Sequence, residues 1–349
     1  MLRICGWCLA SAFFVVVGAL RVSAADPTSL QPGDQVLARH AAVKYWDGSR
    51  ALGVVPAGMM LDVVKVNGDW LWVRSGWVRA TEVIRFGEAA AYFTTELRRA
   101  PAAGRSDATV FALLNRSRAL FQQKEFDAAI ADCNAALRLN PRSADAYCCR
   151  GRCSLEQGRF DPALDDLNEA LRLEPTMARA FCYRGQAFFK LGLHVQAISD
   201  FTASIHHDAT MPAAFSGRGR CYSTEGDLAK ALADFDAALQ LDPRHVAAWN
   251  NRANVHFKKK DYKAAVADYS EALRLEPRAD VYFNRAIALS RLGEQQQALA
   301  DYSEAIRLNP NYGPAYYHRA NLYVKLGDHA KAQEDFKRAG NLDRPDHAT

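Results

Sequence analysis

The sequence predicts a mainly α-helical chain, in which paired helices repeat end to end behind a small all-β barrel. Three observations predict it. A 34-residue period runs from residue 110 to residue 346. Short β-prone runs separated by turn residues fill residues 31–87. An apolar leader with a small-residue exit occupies residues 1–25. Composition agrees with a folded chain: 49% of the 349 residues are apolar and 24% charged, which excludes a disordered polymer. The net charge of +5 is too mild for a nucleic-acid partner. Eight cysteines in this length are too few for a disulfide-stapled scaffold.

The leader comes first. Arg3 precedes the uncharged run Ala10–Leu20, and Val22-Ser23-Ala24-Ala25 supplies small residues where a signal peptidase cleaves, after Ala24 or Ala25. Eleven apolar residues fall short of the ~20 that span a bilayer. The chain is therefore expected to be exported to a periplasm, a cell envelope or the medium, with no transmembrane segment after cleavage. Loss of Arg3 and Arg21 takes the charge from +5 to +3, and loss of Cys5 and Cys8 leaves six cysteines.

Within 31–87, Gln35–Arg39 alternates weakly, and Gly53-Val54-Val55 runs into the turn Pro56-Ala57-Gly58. Leu61–Val66 is rich in β-branched residues, Asn67-Gly68 marks a hairpin, Trp70–Val73 is the return strand, and Gly76-Trp77-Val78 closes the set. This order resembles bacterial SH3-like domains, which implies a binding module. Trp46, Trp70 and Trp72 are its ligand candidates, as a platform for a peptide or a cell-wall glycan; the other reading is that these rings simply pack.

Residues 88–101 resemble half a repeat, because Ala89–Pro101 aligns with Ala129–Pro141 at a constant offset. A helix there is expected to cap the array, followed by a loop over 102–108.

The period is read from Pro141, Pro175, Pro243, Pro277 and Pro310, with Ala209 where one proline is missing. Seven copies fit: 110–143, 144–177, 178–211, 212–245, 246–278, 279–312 and 313–346. Position eight is always small (Ser117, Gly151, Gly185, Gly219, Ala253, Ala286, Ala320), and position twenty is always alanine. Bulky residues such as Tyr147, Phe181, Phe215 and Trp249 at position four fill the space beside them. Gly158, Gly192, Gly226, Gly293 and Gly327 mark the turn between two helices, where a left-handed residue ends the first. The pattern resembles the tetratricopeptide repeat, or TPR. That resemblance implies seven helix-turn-helix repeats stacked into a right-handed α-solenoid, whose concave groove holds a peptide or protein partner and which brings no catalytic role.

All seven copies depart from the family at two positions. Position seven is arginine (Arg116, Arg150, Arg184, Arg218, Arg252, Arg285, Arg319) and position twenty-three is aspartate (Asp132, Asp166, Asp200, Asp234, Asp268, Asp301, Asp335). Recurrence in step predicts pairing, within a copy or with the next, because a guanidinium fork and a carboxylate satisfy one another. A ladder for an anionic polymer is the competing reading.

Family resemblance also places positions two, five, six, nine, twelve and thirteen on the groove. The candidates are Arg118, Arg152 and Arg220 in a basic first half and Asn250, Asn254, Asn284 and Asn321 in the second. Asparagine donates and accepts, so it can hold an extended backbone; plain solvation is the alternative. Asn254 and Asn284 match the asparagines of the two-carboxylate clamp in chaperone-docking relatives. Asn250, Pro314 and His318 stand where that clamp has lysines and arginine, so the clamp is incomplete.

No catalytic motif is present: there is no phosphate loop, GxSxG or HExxH. The chain reads as a non-enzyme with no cofactor and no metal. His206-His207-Asp208 is a dense set of possible ligands, better explained as a local irregularity. The cysteines read as packed thiols, with Cys133 and either Cys149 or Cys153 as the pair if one is oxidised.

Overall fold

The computed structural model describes residues 35–38, 43–47, 50–55, 60–62, 65–67, 70–73, 76–79, 83–85, 88–99 and 106–342. The predicted signal segment 1–25 lies outside them. The chain divides into two compact units, residues 1–139 and 140–349.

The first unit contains β1 (Gln35–Ala38), β2 (Val43–Asp47), β3 (Arg50–Val55), β4 (Met60–Asp62), β5 (Lys65–Asn67), β6 (Trp70–Val73), β7 (Gly76–Arg79) and β8 (Val83–Arg85). They form two sheets, ordered β4-β1-β8 and β3-β2-β7-β6-β5. Every pair is antiparallel, with a register shift between Tyr45 and Trp46 where β2 meets β3. The run Leu61–Val66, which reads as one strand, is divided: β4 belongs to one sheet and β5 to the other. At the Asn67-Gly68 signal, β5 pairs with β6 with Asn67 opposite Trp70.

Three helices follow: α1 (Ala89–Arg99), α2 (Ser106–Gln122) and α3 (Phe126–Leu139). Helix α2 begins at Ser106, so the expected loop over 102–108 is shortened; Asp107 in its first turn favours the positive end of the helix dipole. Helix α1 packs on α2 through Ala89, Phe93, Ala112 and Ala119, with the Phe93 and Phe111 rings edge to face at 6.1 Å.

The second unit is six helix pairs: α4 (Ala144–Glu156) with α5 (Phe160–Leu173), α6 (Ala178–Lys190) with α7 (His194–His207), α8 (Pro212–Glu225) with α9 (Leu228–Leu241), α10 (Val246–Lys258) with α11 (Tyr262–Leu275), α12 (Ala279–Leu292) with α13 (Gln295–Leu308), and α14 (Gly313–Lys325) with α15 (His329–Leu342). Each helix packs on the next, and the first helices of neighbouring pairs also touch: α4 on α6, α6 on α8, α8 on α10.

The sequence explains these contacts. The alanines at position twenty, Ala129 through Ala332, are buried in every copy. A Cβ on Gly151 would come within 2.9 Å of Leu167, and one on Gly219 within 3.0 Å of Phe235, so position eight is small because the second helix lies against it. Gly217 is tighter still: a Cβ there would meet the Phe201 ring at 2.4 Å. Phe201 belongs to α7, in the preceding copy, so Gly217 sets the closeness of two copies rather than of two helices within one.

The turns are equally local in origin. Gly158, Gly192, Gly226, Gly293 and Gly327 have φ between +73° and +87°. Copies one and five lack the glycine, and Lys124 and Lys260 take the same left-handed conformation at φ 63° and 64°, which costs a side-chain-bearing residue on the order of 1 kcal/mol. Asp227 and Asp261 cap α9 and α11, their carboxylates accepting from the amides of Lys230 and Ala264 at 3.1 Å. The Asx turn at the end of the second helix survives the loss of the proline at Ala209: Asp208 Oδ1 accepts from the Thr210 amide at 2.9 Å and its hydroxyl at 2.6 Å, as Asn140, Asp242 and Asn309 accept from the amide two residues on beside their prolines.

Candidate functional site

The site is defined first by what the charges inside the stack are not free to do. In all seven copies the arginine at position seven donates Nε and Nη2 to the two carboxylate oxygens of the aspartate sixteen residues on, at 2.5–2.9 Å. Pairing is thus within a copy and bidentate. The aspartates are buried. The remaining nitrogen, Nη1, reaches back to the second helix of the preceding copy: Arg184 to Asn168, Arg218 to Thr202, Arg252 to Asp236, Arg285 to Ser270 and Arg319 to Ser303, at 2.6–3.2 Å. In the first unit Arg116 Nη1 makes the equivalent contact to Thr94 of α1 at 3.3 Å. Each of these six arginines therefore staples its own helix pair to the helix before it. Hydrogen bonding to the aspartate holds the Arg218, Arg285 and Arg319 guanidinium pKa values above their ordinary range. The charge of each arginine is paired within the protein, which argues against an anionic-polymer ladder at this position.

The first helices carry the remaining polar groups. On α2, Arg118 Nη1 donates to Asn115 Oδ1 at 3.0 Å. The Arg152 guanidinium on α4 lies over the Tyr183 ring at 5.2 Å, and that of Arg220 on α8 lies over Phe189 at 4.3 Å. Asn254 on α10 accepts from the Tyr269 hydroxyl at 2.5 Å. Asn321 on α14 donates to the Tyr317 carbonyl at 2.9 Å. Asn250 has its side-chain oxygen buried without a hydrogen-bond partner among the described residues, and Asn284 on α12 is half-buried.

Two clefts open along these helices. One, of about 410 Å³, runs past Glu156, Gln186, Phe189, Lys190 and Arg220. The other, of about 340 Å³, is lined by Phe189, Arg220, Asn251, Asn254, Phe257 and Lys258. Arg220 and Phe189 belong to both. Of the groove candidates, Arg220 and Asn254 are thus brought together; Arg152, Asn250, Asn284 and Asn321 line neither cleft, and Arg118 lies in the first unit. Asn251, one of the asparagines of the second half, also lines the second cleft, whereas Phe189 and Lys258 were missed as site residues. Their signal is the repeat itself, since they fall at positions twelve and thirteen.

Trp46, Trp70 and Trp72 lie on β2 and β6. The register pairs position 46 with 77 and 77 with 72, so the three tryptophan positions are neighbours across β2, β7 and β6, and pairs Trp70 with Arg79.

The remaining candidates are structural. Among the described residues no group of three or more His, Cys, Asp or Glu side chains is placed to hold a metal. His207 stacks on Phe181 at 5.6 Å. Cys133, Cys148, Cys153, Cys182 and Cys221 are buried and Cys149 is half-buried. Burial pushes the thiols of Cys153 and Cys182 up to about 12 and that of Cys221 up to about 11, which keeps them protonated and unreactive.

Comparison with known proteins agrees with this geometry. Models described as tetratricopeptide repeat match residues 212–245, 246–278, 279–312 and 302–334, and one described as TPR repeat matches 118–152 and 155–192. The intervening stretch 193–211 is α7 with its two terminal histidines and Ala209. No curated protein matches the chain. Solved structures share the fold, three among them being the following. The crystal structure of the APC/C hetero-tetramer Cut9-Hcn1 is 18% identical with a TM-score of 0.61, over 74% of this chain and 50% of that one, so this chain spans about half of its length. The pilF protein of Pseudomonas aeruginosa is 17% identical with a TM-score of 0.56, over 62% of this chain and 100% of that one. A tetratricopeptide repeat protein of Parabacteroides merdae is 20% identical with a TM-score of 0.50, over 68% and 95%. With the matches to the repeat covering more than half of its length, the chain belongs to the tetratricopeptide repeat family.

Proposed function

We propose that the protein is an exported, non-enzymatic scaffold that holds an extended peptide or a protein partner along the first helices of its repeats. One observation carries this reading. The arginine and aspartate of every copy pair with each other, Arg319 and Asp335 included although they line a cleft on α14 and α15, whereas Arg220, Asn251, Asn254 and Lys258 line open clefts without a carboxylate partner among the described residues and can donate to a bound chain. Residues 1–25 act as the export signal, residues 31–87 as an SH3-like barrel, and α1 as the cap that covers the first repeat. No described helix is long and apolar enough to cross a membrane. A photo-crosslinking residue at Gln186 or Asn251, in full-length protein in its native cells, tests the reading. Discrete adducts are expected from both, and none from Lys263 on α11. Equal labelling from Lys263 would sink it.

A second reading rests on the three neighbouring tryptophans of β2, β7 and β6: the barrel binds a cell-wall glycan or peptide and the repeats act as a spacer. Sedimentation of the full chain with purified cell wall separates the two. This second reading requires retention that Trp46→Ala/Trp72→Ala abolishes; absence of retention removes it.

A further inference from the structure

Arg220 differs from the position-seven arginines and, unlike Arg152 over Tyr183, lies in the lining of both clefts. The arginine at position seven in each copy has a bidentate aspartate, and Arg118 has Asn115. Among the described residues no carboxylate lies within ion-pair reach of Arg220; its contact is the face of Phe189 at 4.3 Å. A half-buried cation without a counter-charge is held at a cost, and burial accordingly pulls its pKa down. Such a group is retained where a ligand supplies the missing charge.

Its surroundings narrow the ligand. Lys190 shares the first cleft with it and Lys258 the second, whereas the one acid among these cleft residues, Glu156, is exposed in the first. Lys258 is held by the carbonyl and hydroxyl of Ser223 at 2.9 and 3.1 Å, which fixes its ammonium at the rim. Phe189 and Phe257 supply apolar walls. Close by in sequence, Leu191, Leu193 and Val195 are exposed, Val195 at 77%. Because Arg220 lies in the linings of both clefts, a segment crossing from one to the other passes it mid-chain.

We infer that the partner is an acidic peptide segment, with apolar residues flanking an aspartate or glutamate whose side-chain carboxylate docks bidentately on Arg220 between Lys190 and Lys258. This rests on the groove reading proposed above and adds the chemistry of the partner.

The test titrates the full-length protein with an acetylated, amidated decapeptide of alternating Glu and Leu, and with the same peptide carrying Gln for Glu. The Glu peptide is expected to bind at least ten-fold tighter, and Arg220→Gln to lose at least ten-fold. Arg220→Lys retains part of the affinity, because it keeps the charge and loses the fork. If Arg220→Gln fails to fold, Lys190→Gln/Lys258→Gln, at two exposed residues, is expected to weaken the Glu peptide three-fold or more and leave the Gln peptide unchanged. Equal affinity for the two peptides, no binding of the Glu peptide, or an unaffected Arg220→Gln overturns the inference. A Gln peptide with a free carboxyl terminus that matches the Glu peptide overturns the choice of a side chain over a chain end. Crosslinks from Gln186 and Asn251 that persist when the Glu peptide fails leave the groove reading standing and remove only the acidic specificity.

Discussion

Arg252 uses every edge of its guanidinium. It donates to Asp268 at 2.8 and 2.7 Å, to Asp236 of the preceding copy at 2.6 Å, and lies over Trp249 at 4.7 Å. The recurrence of Arg and Asp in step was legible in the sequence; the choice of the same copy as partner was not, because both arrangements satisfy the charges and only the approach of two helices selects one. Arg218 isolates the pair most cleanly, since its third contact, to the neutral hydroxyl of Thr202 at 3.2 Å, is longer than those of Arg184, Arg252, Arg285 and Arg319. Asp234→Ala is expected to cost about 2–3 kcal/mol, below the ~3–5 kcal/mol of a fully buried pair because Arg218 stays partly solvated. Arg218→Met/Asp234→Leu should recover most of that loss in urea denaturation; a double variant no better than Asp234→Ala would mean that the pair is not the source. At the turns, Lys260 at φ 64° pays the steric penalty that glycine avoids in five other copies. Lys260→Gly is therefore expected to raise stability by about 0.5–1 kcal/mol, and a loss would show that the lysine side chain does something the turn geometry does not reveal.

Element by element, the sequence was most informative where one residue type answers one contact. The alanines and glycines of positions eight and twenty foretold the close helices. Gly217 at position six escaped notice because it recurs in no other copy, yet it sits against Phe201 from the preceding copy. Gly217→Ala is expected to destabilise the α7–α8 packing by about 1–3 kcal/mol, with Phe201→Leu as a second change restoring part of it; an unchanged melting temperature for Gly217→Ala would show that the Phe201 ring yields freely. His245, which precedes α10, has Nε2 buried without a hydrogen-bond partner among the described residues. Burial lowers its pKa below the ordinary value near 6.5, against a smaller upward pull from Asp242. The unfolded chain then binds the proton more readily than the folded one, so this contribution is fully present above pH 6.5 and is lost as pH falls below it. Stability measured from pH 7.5 to 5.5 should fall less in His245→Gln than in the parent protein; identical slopes would refute the assignment. The β-rich segment shows the opposite case to the helices: Leu61–Val66 is β-prone throughout, and no periodicity in it assigns Leu61 and Asp62 to one sheet and Lys65 and Val66 to the other.

At the scale of the whole molecule, each pair in the second unit buries its faces only against its neighbours, so stability is close to a sum over pairs and junctions. This is why most of the fold could be read from one 34-residue unit. The functional surface could not be read in the same way. Arg118, Arg152, Arg220 and Asn254 look alike in alignment, being all polar and at position nine, but only the clefts distinguish Arg220 and Asn254 from the others, and a cleft is a property of three helices together. The account's central claim is that the recurring charges build the stack while the cleft residues hold the partner. Capture of the crosslinked partner by two variants of equal melting temperature tests it most directly. Arg218→Met/Asp234→Leu is expected to retain the partner, and Arg220→Gln/Asn254→Ala to lose it ten-fold or more. Loss in the first variant with retention in the second would contradict the claim.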